Sequence, residues 1–180
     1  FKSGVGEEID ISKKFLLVSF HAVTTEFGLA EVQMTKILNI IRSLEIQSIV
    51  LWPNTDAGTD DIAKSIRKFR ERGFDKKMHF FKNIPVDDYI FLMKQTSCLV
   101  GNSSSGIREG SYIGTPVVNI GSRQNDREKS KNVINVNFDE NLIAKSILKQ
   151  INHGIYNKST LYGQGNAGIK ITKILENLEK

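Results

Sequence analysis

The segment "GNSSSGIREG" (101–110) places three serines and three glycines at the junction of two predicted elements. The apolar residues before it predict a strand that ends at Gly101, and the residues after it predict a helix that begins near Ser104 or Ser105. Unpaired backbone N–H groups at a helix N-terminus, together with hydroxyl groups, favour a bound anion, and phosphate is the expected one. The serines would serve equally well as a helix cap without any ligand.

Glu109 stands about one turn inside the same predicted helix. A carboxylate does not help to bind phosphate, so we expect a different role for it, which is to accept hydrogen bonds from a sugar diol beside the phosphates. The alternative is that Glu109 only complements the positive end of the helix dipole.

His21 follows the first predicted strand and stands two residues before "VTTE". An imidazole at the end of a strand is a candidate for acid–base chemistry, although a packed or solvated histidine explains the position equally well. The other histidines, His79 and His153, stand alone, and the sequence contains neither H-E-x-x-H nor C-x-x-C. We therefore predict no metal site and no cofactor. We expect no Walker A loop, no G-x-G-x-x-G fingerprint and no G-x-S-x-G elbow, which argues against P-loop ATPases, ordinary NAD enzymes and serine hydrolases.

Segments with strand and helix patterns alternate along the chain. Short apolar runs predict strands at 14–20, 48–53, 78–81, 97–101, 116–120 and 132–136. Later helices are expected at about 140–151 and from Asn166 onward. The first helix has five apolar residues near helical spacing: Leu29, Val32, Leu38, Ile41 and Leu44. This alternation predicts a Rossmann-like α/β domain of three layers, with a parallel sheet between helices.

Polar loops follow five of the predicted strands. They are "HAVTTE", "PNTDAG", "KNIP", "NSSSGIRE" and "GSRQ". Ligands of such folds bind outside the carboxyl ends of the strands, where loops of this kind meet. We therefore expect the five loops to form one binding face.

The composition is that of one globular domain. The 180 residues suffice for a single core, and the formal net charge of +5 favours anionic partners without selecting among nucleotides, nucleic acid and phosphosugars. We interpret the basic segment 64–77 as a solvated helix face, because its Phe69 belongs to a core stripe with Ile62 and Ile66. Neither a membrane span nor a signal peptide is predicted, and the single cysteine, Cys98, is expected to be buried.

Five segments resemble, in order and spacing, the C-terminal half of the hydrolysing UDP-N-acetylglucosamine 2-epimerases. They are "HAVTTE", "LWPNTDAG", "KNIPVDDY", "GNSSSGIREGSYIGTPVVNIGSRQ" and "YGQGNA". The resemblance covers nearly the whole chain. It implies a GT-B-like enzyme with two Rossmann-like domains and an active site in the cleft between them. Residues 14–180 would form the UDP-binding domain, and residues 1–13 would be a polar lead-in from a missing N-terminal domain.

The resemblance implies roles for residues in the first three loops. His21 would approach the diphosphate or the sugar as a catalytic residue. Asn54 and the backbone near Ile84 would line the pocket for the base and the ribose. The family usually has Pro where this chain has Ala22, and the loss of that Pro would loosen the loop that carries His21.

The resemblance implies further contacts from the last two loops. Ser103 and Ser104, with their N–H groups, would hold the diphosphate. Glu109 would accept hydrogen bonds from the ribose hydroxyls, which agrees with the role inferred from its position. Arg123 would lie close to the cleft.

The implied reaction is elimination of UDP from UDP-N-acetylglucosamine to give a glycal, followed by addition of water to release N-acetylmannosamine and UDP. The segment "HAVTTE" favours the hydrolysing branch, because the non-hydrolysing epimerases carry an "HRREN"-like segment there. The carboxylates that transfer protons in this family lie mostly in the N-terminal domain. The resemblance therefore implies a cytoplasmic enzyme of amino sugar metabolism, related to those that start sialic acid biosynthesis.

The partners implied are UDP, UDP-N-acetylglucosamine and the N-terminal domain, with no nucleic acid and no membrane. The sequence leaves open a homo-oligomer, and it leaves open a diacetamido sugar as the natural substrate. Two other readings also remain. One is the donor domain of a GT-B glycosyltransferase, and the other is a non-catalytic nucleotide-binding module or a nucleic-acid binder.

Overall fold

Seven strands form one sheet in the computed structural model, which describes residues 4–55 and 57–178. They are β1 (Val5–Gly6), β2 (Leu16–Ser19), β3 (Ser48–Leu51), β4 (Met78–Phe81), β5 (Cys98–Gly101), β6 (Val117–Ile120) and β7 (Val133–Val136). Their order across the sheet is β1-β4-β3-β2-β5-β6-β7. Every neighbouring pair from β4 to β7 is parallel, so the carboxyl ends of these six strands meet at one edge.

Helices cover both faces of the sheet. They are α1 (Ala30–Ser43), α2 (Thr59–Glu71), α3 (Val86–Gln95), α4 (Ser104–Ile107), α5 (Glu109–Ile113), α6 (Glu140–His153) and α7 (Ala167–Glu176). Alternate side chains of a strand point to opposite faces. Leu16 and Val18 of β2 therefore pack with α1, α2 and α6, whereas Leu17 packs with α3 on the other side. The predicted three-layer, Rossmann-like fold is confirmed.

The edge strand β1 departs from the predicted all-parallel sheet. It lies inside the predicted lead-in 1–13, of which residues 1–3 fall outside the described part of the chain. Val5 and Gly6 pair antiparallel with Phe80 and His79 of β4. A strand of two residues shows no apolar alternation, so the sequence pattern carries no signal for it.

The buried face of α1 differs in part from the predicted one. Leu38 and Ile41 are fully buried as expected, but Leu29 and Val32 are 51% and 56% exposed. The helix begins only at Ala30. The buried side of this helix includes Met34, Ile37, Leu38 and Ile41. Val32 lies on the outer side of the helix. The predictions for Leu29 and Val32 were therefore wrong.

Other predicted elements form close to their expected places. The stripe of Ile62, Ile66 and Phe69 on α2 is buried, and so is Cys98, whose thiol pKa is raised by that burial. The helix expected near Ser104 is broken at Arg108 into α4 and α5. The last predicted helix is α7, and none of its residues is buried.

The strands β2 and β5 approach closely at Gly101, which pairs with Ser19 at the end of the ladder. Gly101 has a φ of 139°, and a Cβ at this position would overlap the main-chain oxygen of Ser19. Gly73 has a comparable positive φ of 67°, but a Cβ there meets no atom within 4 Å. A side chain at Gly73 would meet only conformational strain, whereas a side chain at Gly101 would meet strain and steric overlap.

We expect Gly73→Ala to cost about 1–2 kcal/mol, since only the left-handed conformation opposes it. Gly101→Ala should cost more, about 2–5 kcal/mol, because overpacking against β2 adds to the strain. Urea denaturation of both variants measures the difference. Equal losses of stability in the two variants would show that the contact between β5 and β2 is not a tight constraint.

Candidate functional site

A cavity of about 250 Å³ lies at the carboxyl edge of the sheet. It is lined by residues from the loops after β2, β3, β4 and β5, which confirms that these loops share one face. Among the lining residues are four that the sequence singles out: His21, Asn54, Ile84 and Ser103. Residues up to 82 positions apart in the sequence are thus brought to one site by the parallel order of the strands.

Ser103 is the N-cap of α4, and its hydroxyl oxygen accepts a hydrogen bond from the backbone N–H of Ser105 at 3.4 Å. The two serine hydroxyl oxygens lie 2.8 Å apart, and the hydroxyl of Tyr89 lies 2.6 Å from that of Ser105. Burial raises the pKa of Tyr89, so its hydroxyl remains protonated at neutral pH. The predicted helix cap is present, and three hydroxyl groups are gathered around it at the cavity wall.

The main chain of His21 is held by the side chain of Asn102. The His21 N–H donates to Asn102 Oδ1 at 2.8 Å, and Asn102 Nδ2 donates to the His21 carbonyl at 2.8 Å. The imidazole Nε2 lies 3.5 Å from the hydroxyl of Ser19. His21 is thus buried in the cavity wall with both of its main-chain groups paired.

The loop after β6 also contacts Asn102. Arg123 Nη1 donates to the main-chain oxygen of Asn102 at 3.3 Å, and Gln124 Nε2 donates to the same oxygen at 2.9 Å. Arg123 therefore contacts the residue that precedes Ser103, and its expected place close to the cleft stays a prediction. Ser104 follows as the first residue of α4.

Glu26 is a carboxylate at this edge that the sequence did not single out as a site residue. It accepts hydrogen bonds from the hydroxyl of Ser122 and, at 2.6 Å, from Nε2 of Gln33. These contacts join the loops after β2 and β6. Ser122 is 96 residues away along the chain, so no local pattern could have indicated the pair.

Glu109 does not line the first cavity but a second one of about 410 Å³. The second cavity is bounded by Lys94 and Tyr112 and by the glycine-rich loop that contains Gly163 and Gly165. Tyr89 lines the first cavity and the next residue, Ile90, lines the second. The two cavities therefore flank α3, and the proposed ribose contact of Glu109 stays a prediction.

The glycine-rich loop matches the spacing G-x-G-x-x-G over 163–168, so the prediction that the sequence lacks this spacing was wrong. The dinucleotide-binding fingerprint requires this spacing directly after a strand. Here the segment follows an irregular stretch and leads into α7, so that context is missing.

Residues 4–55 and 57–178 contain no group of three or more His, Cys, Asp or Glu residues that could hold a metal ion. Within the same ranges, no helix is long and apolar enough to cross a membrane.

Comparison with known proteins assigns this chain to a family. The family model described as UDP-N-acetylglucosamine 2-epimerase matches residues 2–176. This chain belongs to that family. The match spans every strand and helix of the fold, so the UDP-N-acetylglucosamine 2-epimerase assignment applies to the whole sheet and its loops.

Curated relatives within the family share less than a third of their residues with this chain. UDP-N,N'-diacetylbacillosamine 2-epimerase (hydrolyzing) of Legionella pneumophila is 29% identical over 94% of this chain and 44% of its own length. UDP-N-acetylglucosamine 2-epimerase of Neisseria meningitidis is 27% identical over 87% of this chain and 41% of its own length. The chain thus spans less than half the length of these relatives.

Solved structures show the same fold. The UDP-GlcNAc 2-epimerase of Neisseria meningitidis, bound to UDP-GlcNAc, matches with a TM-score of 0.71 and 16% identity over 94% of this chain and 46% of that one. An Escherichia coli heptosyltransferase with ADP matches with a TM-score of 0.51 and 10% identity, over 78% of this chain and 44% of that one. The epimerase structure is thus the more similar of the two.

Proposed function

We propose that this chain is the UDP-binding half of a hydrolysing UDP-N-acetylglucosamine 2-epimerase. The full-length enzyme would convert UDP-N-acetylglucosamine to N-acetylmannosamine and UDP, by elimination and then hydration. The observation that carries the proposal is the cavity at the carboxyl edge of the sheet, where His21, Asn54, Ile84 and Ser103 meet at the start of α4. Membership of the family supports an epimerase reaction, and the cavity would accommodate the nucleotide.

The diphosphate would lie at the N-terminus of α4. Ser103 and Ser104 open this helix, and the positive end of a helix dipole favours an anion. The N–H of Ser105 is bonded to the Ser103 hydroxyl at 3.4 Å, which is long for such a bond, so a phosphate oxygen could replace that acceptor. Arg123 adds a positive charge from the neighbouring loop.

The base and ribose would occupy the part of the cavity formed by the loops after β3 and β4. Asn54 is exposed at one wall, and Ile84 is half-buried at the other. The backbone at Ile84 offers donors and acceptors for a base edge, and the side chain offers an apolar surface. Glu109 would accept hydrogen bonds from the ribose hydroxyls at the boundary with the second cavity.

His21 would act at the sugar end of the ligand. The proposed elimination removes the proton from C2 of the sugar and breaks the bond between C1 and the diphosphate oxygen, and water then adds its hydroxyl to C1 and a proton to C2. An imidazole beside the diphosphate is suited to stabilise or protonate the leaving group. No Asp or Glu lines the first cavity among the described residues, so the second domain would supply the carboxylates for proton transfer at C2.

The hydrolysing branch is favoured by "HAVTTE" after β2 and by the names of the Legionella relative and of its Campylobacter jejuni counterpart. Those two relatives act on diacetylbacillosamine nucleotides, by their names. A role in sialic acid synthesis, a location in the cytoplasm and a homo-oligomeric assembly are parts of the proposal that rest on the resemblance only.

A glycosyltransferase donor domain is the second candidate, because the heptosyltransferase shares the fold. The two functions differ at C2 of the sugar, since a transferase leaves the C2–H bond intact and needs an acceptor.

The full-length protein, incubated with UDP-N-acetylglucosamine in D₂O, should release free N-acetylmannosamine that carries deuterium at C2. Proton NMR of the sugar identifies both the product and the label. The isolated chain should bind UDP by calorimetry but give no turnover, because proton transfer contributes a factor of about 10² to 10⁴ and its groups are absent from this half. A product that retains the C2 proton, or that forms only with an acceptor sugar, would reject the epimerase function.

Glu109→Ala should weaken UDP binding at least about tenfold, because a charge-assisted hydrogen bond contributes roughly 1.5–3 kcal/mol. Binding of inorganic pyrophosphate should change less than about threefold, since it has no ribose. Glu140→Ala is the matched control, because Glu140 is also an acidic residue in the first turn of its helix. Equal losses for UDP and pyrophosphate would reject the ribose contact and favour the dipole role.

A further inference from the structure

We propose that Asn102 is a positioning residue, which sets the place of His21 relative to the start of α4. This inference rests on the proposed function, in which His21 acts on the sugar end of the ligand. The side chain of Asn102 is 1% exposed and makes both of its described hydrogen bonds, each 2.8 Å long, to the main chain of His21. The residue itself touches neither cavity, so its effect would pass through its neighbours.

The contact continues the sheet past the point where its strands end. The parallel ladder of β2 and β5 stops at the pair Ser19 and Gly101, and the N–H of Asn102 makes one further bond, to the oxygen of Ser19, at 3.1 Å. Beyond this bond, the segments that follow β2 and β5 diverge into loops. A carboxamide presents an N–H donor and a carbonyl acceptor side by side, as a peptide group does. Asn102 therefore pairs with His21 as an additional strand residue would.

Asn102 also binds the loop after β6. Its main-chain oxygen accepts from Arg123 at 3.3 Å and from Gln124 at 2.9 Å. The next residue along the chain, Ser103, is the N-cap of α4. Asn102 thus links the backbone of His21, the guanidinium of Arg123 and the start of α4 through its bonds to the loops after β2 and β6.

A positioning role differs from a purely structural role in what it changes. Removal of any buried amide that bonds two main-chain groups destabilises the fold. Loss of the correct geometry at reacting groups lowers turnover by a factor of about 100 for a displacement of about 1 Å, without a matching loss of affinity. The ratio of these two effects therefore identifies the role.

Gln150 of α6 provides a matched control. It is fully buried, and its Nε2 donates to two main-chain oxygens, those of Val117 and Asn132, at 2.7 and 2.8 Å. Val117 is the first residue of β6, so Gln150 lies at the amino edge of the sheet, opposite the cavity. Gln150→Ala and Asn102→Ala remove comparable buried amides at opposite edges.

In the full-length protein, Asn102→Ala should lower kcat at least about 100-fold while the Kd for UDP changes less than about threefold. Gln150→Ala should keep kcat within about threefold of the wild type, measured on the folded fraction. Equal losses of kcat in the two variants, or parallel losses of kcat and UDP affinity in Asn102→Ala, would overturn the proposal. Asn102→Ser, which keeps one hydrogen-bonding group, should give the same separation of kcat from Kd if the alanine variant does not fold.

Amide hydrogen exchange provides a readout that does not depend on activity. The His21 amide should lose protection in Asn102→Ala and keep it in Gln150→Ala. Equal protection of that amide in both variants would overturn the proposal even if the wild-type protein had no turnover. Absence of turnover in the wild type would instead reject the proposed function, so the two failures are distinguishable.

Discussion

The close pairing of β2 with β5 is the constraint on which the site depends. These strands are neighbours in the sheet although 82 residues separate Leu16 from Cys98, and their last register pair joins Ser19 to Gly101. Because Gly101 has no side chain, the two backbones meet there without a gap, and the following residue, Asn102, can pair with His21. The position of an imidazole from one loop and of a helix N-terminus from another is thus set by one short stretch of backbone.

Around this pairing the protein gathers polar groups that are partly buried. The hydroxyls of Ser103, Ser105 and Tyr89 satisfy one another, and Glu26 is held by Ser122 and Gln33. Buried polar groups of this kind are stable only when most of their partners are present. A preformed network also means that a nucleotide would meet its donors already oriented, so that little ordering is needed on binding.

Sequence patterns predicted the fold and one part of the site well, for a physical reason. Strands that are buried on both faces read as apolar runs, and the polar loops after them must lie at one edge, so His21, Asn54, Ile84 and Ser103 could be placed together. Contacts between distant segments leave no local signal. The pairing of Asn102 with His21 spans 81 residues and the pairing of Glu26 with Ser122 spans 96. Similarly, the placement of Glu109 in a second cavity, the edge strand β1 and the exposure of Val32 depend on packing that periodicity does not encode.

The central claim is that the start of α4 and the adjoining loops hold the diphosphate of UDP, and backbone amide chemical shifts measured during a UDP titration test it most directly. The largest changes should fall on the amides of Ser103, Ser104 and Ser105, with smaller ones at His21 and Ile84. Inorganic pyrophosphate should reproduce the changes at the serines and leave the amide of Ile84 unaffected, because it has no base. Changes concentrated on the amino edge of the sheet, near Gln150, with none at the three serines, would contradict this account.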